Sequence, residues 1–201
     1  MKRLPHLQFP SSQFSQHSPA YRSRIVLCAV MLSTLLGVAN PQALKAASCV
    51  NLVVDSGLES GSGWVTKSSG GYPVLSGRLT HLGKQAAYLA GANDAYDRLA
   101  TSVKLPTNPQ SITLTFWWQI QSQESGRYQD SLSIDLVDAQ GKLLQNLDNL
   151  SSRNMSNQWQ QRTLTISKAA GQTVQLQFVA HTDAEAATDF FIDDVEIVAC
   201  S

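Results

Sequence analysis

The chain has 201 residues, enough for one ordinary domain and a short extra segment, with 15 Lys plus Arg against 15 Asp plus Glu. That balance is uneven along the chain. Residues 1–48 hold Lys2, Arg3, Arg22, Arg24 and Lys45 and no acid, for +5, and the other 10 bases and all 15 acids leave residues 49–201 at −5. An acidic domain has no basic face for nucleic-acid phosphates, and no apolar run reaches the roughly 18–20 residues that span a bilayer.

In chain order, the first element is an uncharged run of 15 residues, 25–39, directly after Arg22 and Arg24. A positive flank, a short apolar core and small residues beyond it compose a helical secretory signal segment. A buried helix and an uncleaved anchor are the competing readings. Gly37-Val38-Ala39 and Ala46-Ala47-Ser48 both offer cleavage points. The second would leave Cys49 first, as in a lipoprotein, although Pro41 and Lys45 separate it from the apolar run. The expected division is a leader over 1–48 and one domain over 49–201, the latter secreted, periplasmic or at the cell surface.

Cys28 leaves with the leader, so Cys49 and Cys200 remain, one at each end of the domain. An even count in an oxidising compartment predicts a disulfide, with two free thiols as the alternative. Closing so long a loop stabilises by ~5 kcal/mol in the chain-entropy model and makes the first and last strands neighbours.

From Cys49 onward the pattern is of strands. They are predicted at 50–54, 85–90, 98–105, 113–120, 132–136, 143–147, 159–166, 174–178 and 189–198. The clearest is Leu114, Phe116, Trp118 and Ile120 alternating with Thr113, Thr115, Trp117 and Gln119. Gly61-Ser62-Gly63, Gly70-Gly71, Pro106 to Pro109, Asp138 to Gly141 and Ala170-Gly171 supply turns between them. Strands with one apolar face must bury it against a second sheet, so the expected fold is all-β, a single antiparallel sandwich of the jelly-roll kind.

Candidate chemistry is sparse. Only two of the four histidines, His81 and His181, lie in residues 49–201, and this with the lack of a Gly-x-Ser-x-Gly turn argues against a Ser–His–Asp hydrolase. Zinc is poorly served, with the cysteines paired and the histidines 100 residues apart. Calcium takes loop carboxylates and carbonyls. Glu59 follows the first strand and Asp193-Asp194 interrupts the last, so the bridge would bring them side by side. Phe190 and Ile192 are even-numbered whereas Val195 and Ile197 are odd, which predicts a bulge at Asp193-Asp194, unless Phe191 faces the core and the acids are merely solvated. Glu124, Asp130, Asp183 and Asp189 form a second acidic group, able to hold an ion if loops 122–130 and 181–189 meet. Among the aromatics, Trp64, Trp118 and Trp159 read as core. Trp117 faces the opposite way, and Tyr72, Tyr96 and Tyr128 lie in or beside loops. These four are the candidate platforms for a sugar ring.

The segment from Asn51-Leu52 through Gly57-Leu58-Glu59-Ser60-Gly61 to Trp64 resembles the Gly-Phe-Glu-x-Gly…Trp opening of bacterial extracellular jelly rolls, with Leu58 in place of Phe. Phe191-Ile192-Asp193-Asp194-Val195 is similar to their last strand. Ser68 to Pro73, Tyr88 to Asn93, Asp97-Arg98-Leu99, Leu114-Thr115-Phe116, Asp130-Ser131-Leu132 and Ala170 to Phe178 look like accessory sandwiches attached to secreted bacterial peptidases. Those modules are relatives of the MAM-like and galactose-binding-like folds. The resemblance implies a non-catalytic appendage. By analogy with related carbohydrate-binding modules, it also implies a structural calcium held by Glu59 and by Asp193 or Asp194.

The expectation is therefore an exported, calcium-stabilised binding or adhesion module for an extracellular glycan or surface protein. Alternatives are a small glycan hydrolase or lyase using two acids from among Glu124, Asp130 and Asp183, and a structural subunit of an envelope assembly.

Overall fold

The computed structural model describes residues 48–201. The signal-segment reading and Cys28 fall outside the described residues. Within them run β1 (Cys49–Asn51), β2 (Trp64–Ser68), β3 (Leu75–Ser76), β4 (Ala86–Leu89), β5 (Tyr96–Lys104), β6 (Ser111–Ser122), β7 (Ser131–Val137), β8 (Leu143–Ser151), β9 (Gln160–Thr165), β10 (Thr173–His181) and β11 (Thr188–Cys200). One sheet has the order β3-β4-β11-β6-β9, with β1 also on β11; the other has the order β2-β5-β10-β7-β8. All pairings are antiparallel. The all-β sandwich expected from alternation is the observed fold.

Alternation dictates what lies between the sheets. Leu114, Phe116, Trp118 and Ile120 of β6 and Phe190, Ile192, Val195 and Ile197 of β11 come from one side. Leu99, Val103, Leu132, Ile134, Leu136, Leu176 and Phe178 come from the other. The Phe116 and Phe178 rings meet edge to face at 5.1 Å. Leu58, which stands where the resemblance has Phe, is fully buried in this core.

Two strands escape the sequence pattern, β2 and β3. In β2 only Trp64 is buried, because the strand pairs β5 at a sheet edge and shows no alternation. The predicted strand 50–54 shortens to β1. After Asn51 the chain turns away, with Asn51 Oδ1 accepting the N–H groups of Val53 and Ile197 at 3.1 and 3.2 Å. Cys49 lies opposite Cys200 in the β1–β11 register, and the two are joined as a disulfide.

β4 and β1 share one edge of β11, pairing with its Phe190–Ile192 and Val198–Cys200 stretches respectively. Between those stretches the register of β11 against β6 shifts, and Asp194 has φ 47°. The expected bulge is present, since Val195 and Ile197 return to the core phase. Phe191 is buried as well, on the opposite face, where its ring stacks 5.4 Å from Tyr88. That outer face is covered by the segment between β2 and β4: His81 stacks on Trp117 at 3.9 Å, and Tyr72 lies 5.3 Å from Tyr88. Trp117 is therefore under a covering segment rather than open. Trp159, expected in the core, is half-buried at the edge of this outer layer, 5.7 Å from His81.

Candidate functional site

The gap between β1 and β4 on the edge of β11 brings Glu59, Asp193 and Asp194 to one place. They meet through loop 77–85 rather than through one another. Both Glu59 carboxylate oxygens accept the Lys84 N–H, at 2.9 and 3.0 Å, and Oε1 also takes that of Gln85 at 3.2 Å. Gly83 lies against this carboxylate with φ 66°, which strains any residue with a Cβ, and a Cβ there would fall 2.0 Å from Oε1 and displace the Glu59 side chain. Buried Asp193 accepts the N–H groups of His81 at 2.8 Å, Leu82 at 3.3 Å and Asp194 at 2.8 Å. Burial pushes its carboxyl above the usual range, and the amides of His81 and Asp194 oppose that push. Asp194 Oδ2 meets His81 Nδ1 at 2.6 Å. Carboxylates turned toward N–H donors and a histidine do not present the convergent oxygens that calcium needs. As arranged here, these three residues do not fit the calcium implied by the resemblance.

The second acidic group divides. Asp189 sits on the outward phase of β11, and its carboxylate accepts the Tyr88 hydroxyl at 3.1 Å. It is thus separated from the other three by strand alternation. Burial raises Tyr88 to about 12, with Asp189 adding to the rise. Glu124, Asp130 and Asp183 do come together, with ligating oxygens all within 4.8 Å of one another, and this cluster could hold a metal ion. Asp130 is fully buried, and that desolvation raises its carboxyl above the usual range. A glycosidase would need its two carboxyls about 5–5.5 Å apart or more, with room for a sugar between them. This trio is tighter than that, and two of its members are buried.

The four candidate platform aromatics differ in access. Tyr72 is engaged: its hydroxyl bonds Asp97 and accepts the Gly91 N–H at 3.0 Å. Trp117 lies beneath His81. Tyr128 is half-buried with the Arg153 guanidinium 5.3 Å over its ring. Tyr96 is 46% exposed. It opens β5 on the outward phase, the phase that also carries Arg98 and Ser102. Across the strand pair, Tyr96 faces His181 and Ser102 faces Gln175. Arg98, Ser102, Gln175 and Gln177 line a groove walled by the turn Asp138 to Gly141.

Sequence reasoning did not assign roles to His81, Arg98 or Asp97. Asp97 is fully buried and accepts the Ser69 and Ala90 N–H groups at 2.9 and 2.8 Å, tying the two loops after β2 and β4 to β5. Its signal was available, because an acid shares the inward phase of Leu99, Thr101 and Val103. His81 had no such signal, being an isolated histidine in a loop.

Two antiparallel sheets packed around one core define the β-sandwich class. The family model for the MAM domain (meprin/A5/mu) matches residues 57–201, and the chain belongs to that family. No curated protein matches it by sequence. Among solved structures it is similar to TmCBM61 in complex with β-1,4-galactotriose, at 15% identity and TM-score 0.53, over 74% of this chain and 97% of that one. The CBM22-1 xylan-binding domain from Paenibacillus barcinonensis Xyn10C gives 16% identity, TM-score 0.47, and 78% and 97% coverage. A family 16 carbohydrate-binding module gives 22% identity, TM-score 0.46, and 73% and 99% coverage. At these identities the likeness is one of fold.

Proposed function

We propose that the protein is an exported, non-catalytic module that binds an extracellular glycan on the outer face of the sheet β2-β5-β10-β7-β8. The observation that carries this reading is Tyr96, an exposed ring on the outward phase of β5, the phase that also carries Arg98 and Ser102 of the groove lined by Gln175 and Gln177. A sugar offers an apolar C–H face and a rim of hydroxyls. It is matched by an aromatic surface next to a few fixed donors and acceptors. Arg98 is on the outward phase of β5 and is among the residues that line this groove, where it supplies a cationic donor.

Export is supported by the Cys49–Cys200 disulfide, a bond kept in oxidising compartments, and by the basic leader. Among the described residues no helix is long and apolar enough to cross a membrane. In this reading, loop amides and His81 stabilise the bulge of the last strand, where the resemblance sets calcium.

A glycan array followed by affinity electrophoresis tests the proposal. Tyr96→Ala is expected to weaken binding at least tenfold, roughly 1.4 kcal/mol, with an unchanged melting temperature. Full affinity in both Tyr96→Ala and Arg98→Ala would remove this face from the reading.

A further inference from the structure

We propose that Glu124, Asp130 and Asp183 form a binding site for a hard divalent cation of the calcium class, which ties loop 122–130 to loop 181–187 at one end of the sandwich. The inference is independent of the glycan reading and of the cluster around Glu59.

Convergence of the three carboxylates is one observation. The second is what their oxygens lack. Glu124 and Asp130 are 6% and 0% exposed, yet Glu124 Oε2 and Asp130 Oδ2 have no hydrogen-bond partner. Their other oxygens are anchored to the backbone: Gln129 N–H donates to Glu124 Oε1 at 3.2 Å, and Asp183 N–H to Asp130 Oδ1 at 2.9 Å. Each side chain is thus held by one oxygen while the other is left bare in the cluster. The Thr188 hydroxyl eases Asp130, but it is held by Ser122 Oγ at 2.8 Å and does not meet Oδ2 in ordinary hydrogen-bond geometry.

No counter-charge answers them. Among the described residues the ion pairs are His81–Asp194 and Arg162–Asp148, and neither touches this group. A buried carboxylate oxygen with neither a donor nor a cation is costly, more so beside other acids. An ion among them resolves both the desolvation and the mutual repulsion.

The donor set selects the ion. All the convergent atoms are carboxylate oxygens, which suits calcium and gives zinc none of the nitrogen or sulfur it prefers. A further oxygen is close in the chain fold. Ser152, whose N–H donates to the Asp130 carbonyl at 3.1 Å, has a buried hydroxyl that also lacks a partner.

The site would lock a junction that the backbone has already brought together. Asp94 N–H donates to the Asp183 carbonyl at 2.7 Å and Thr182 N–H to the Ala95 carbonyl at 3.0 Å. Gln123 N–H reaches the Ala187 carbonyl at 3.1 Å.

The test is calorimetric titration of the chelator-stripped full chain with calcium chloride, repeated with terbium and read by luminescence sensitised from the protein's aromatic rings. One ion per chain is expected, with a melting temperature raised by about 5–10 °C at a hundredfold excess over Kd. Glu124→Gln and Asp130→Asn should each weaken binding at least tenfold, and Glu59→Gln should leave it unchanged. If either buried variant fails to fold in chelator, Asp183→Asn, at the less buried member, supplies the same comparison. The proposal is overturned if the stripped chain binds neither ion. Loss of binding in Glu59→Gln, or wild-type affinity in the Glu124, Asp130 and Asp183 variants, would overturn it equally.

Discussion

Glu59, Asp193 and Asp194 at the bulge of the last strand, and Glu124, Asp130 and Asp183 at the loop end, each gather three carboxylates, but in opposite electrostatic settings. In the first group Glu59 and Asp193 accept backbone N–H groups from loop 77–85, and Asp194 is paired with His81. In the second, two buried carboxylate oxygens have no partner at all. The first group is thus complete as built from protein alone, whereas the second calls for something the chain does not supply. Spacing in the sequence does not separate them, because the difference lies in whether a loop's amides happen to face the acids. A convergent acidic cluster becomes informative when its lone pairs are counted against the donors around it.

The largest expected effect breaks the first region selectively. Replacing Cys49 and Cys200 with serine frees β1 from β11 and should cost about 2–5 kcal/mol in denaturant unfolding. Hydrogen exchange should speed at Val53 and Ile197, whose amides Asn51 holds, and stay unchanged at Asp183 and Ala95. Equal acceleration in both regions would show that the two are not independent.

Next in size is a paired substitution. Asp193→Ala orphans the amides of His81, Leu82 and Asp194 and should destabilise by about 2–4 kcal/mol. Asp130→Asn, measured in chelator, removes an uncompensated charge from a buried position and should change stability by less than about 1 kcal/mol, or raise it. Equal losses in the two variants would mean that the two clusters sit in the same electrostatic setting.

Acidification is the mildest probe. Burial raises the carboxyls of Asp130 and Asp193 above their ordinary value. In chelator, the folded chain therefore holds protons at a pH where the unfolded chain has lost them. Stability then rises as pH falls from neutral through the raised folded values toward about 4, the unfolded value. Thermal melts across that window should show a smaller rise in Asp130→Asn than in the wild type. An identical slope would mean that Asp130 does not take part.

Much of the sandwich was legible because period-two alternation is a local signal. β6 could be read from Leu114, Phe116, Trp118 and Ile120, and the β11 bulge from the change of phase between Ile192 and Val195. β2 was not legible, because an edge strand with a single buried residue carries no period. Trp159 was misplaced in the core because nearness to a strand start does not say which face a side chain takes. Of the proposed site residues, Tyr96 and the Glu124, Asp130 and Asp183 set were visible as types in loops. Asp189 was wrongly grouped with the latter because the outward phase of β11 sends it to Tyr88.

By itself, the sequence determined the all-β class, the placing of two cysteines at 49 and 200, and the unequal division of charge between residues 1–48 and 49–201. Each of these follows from local periodicity or from counting. Only the tertiary structure decided how the acids of the −5 domain are distributed: which are capped by amides, which face His81 or Tyr88, and which are left bare. The physical reason is that a carboxylate's setting depends on donors brought from elsewhere in the chain. His81 and Asp194 stand 113 positions apart, and Asp130 and Asp183 stand 53 apart.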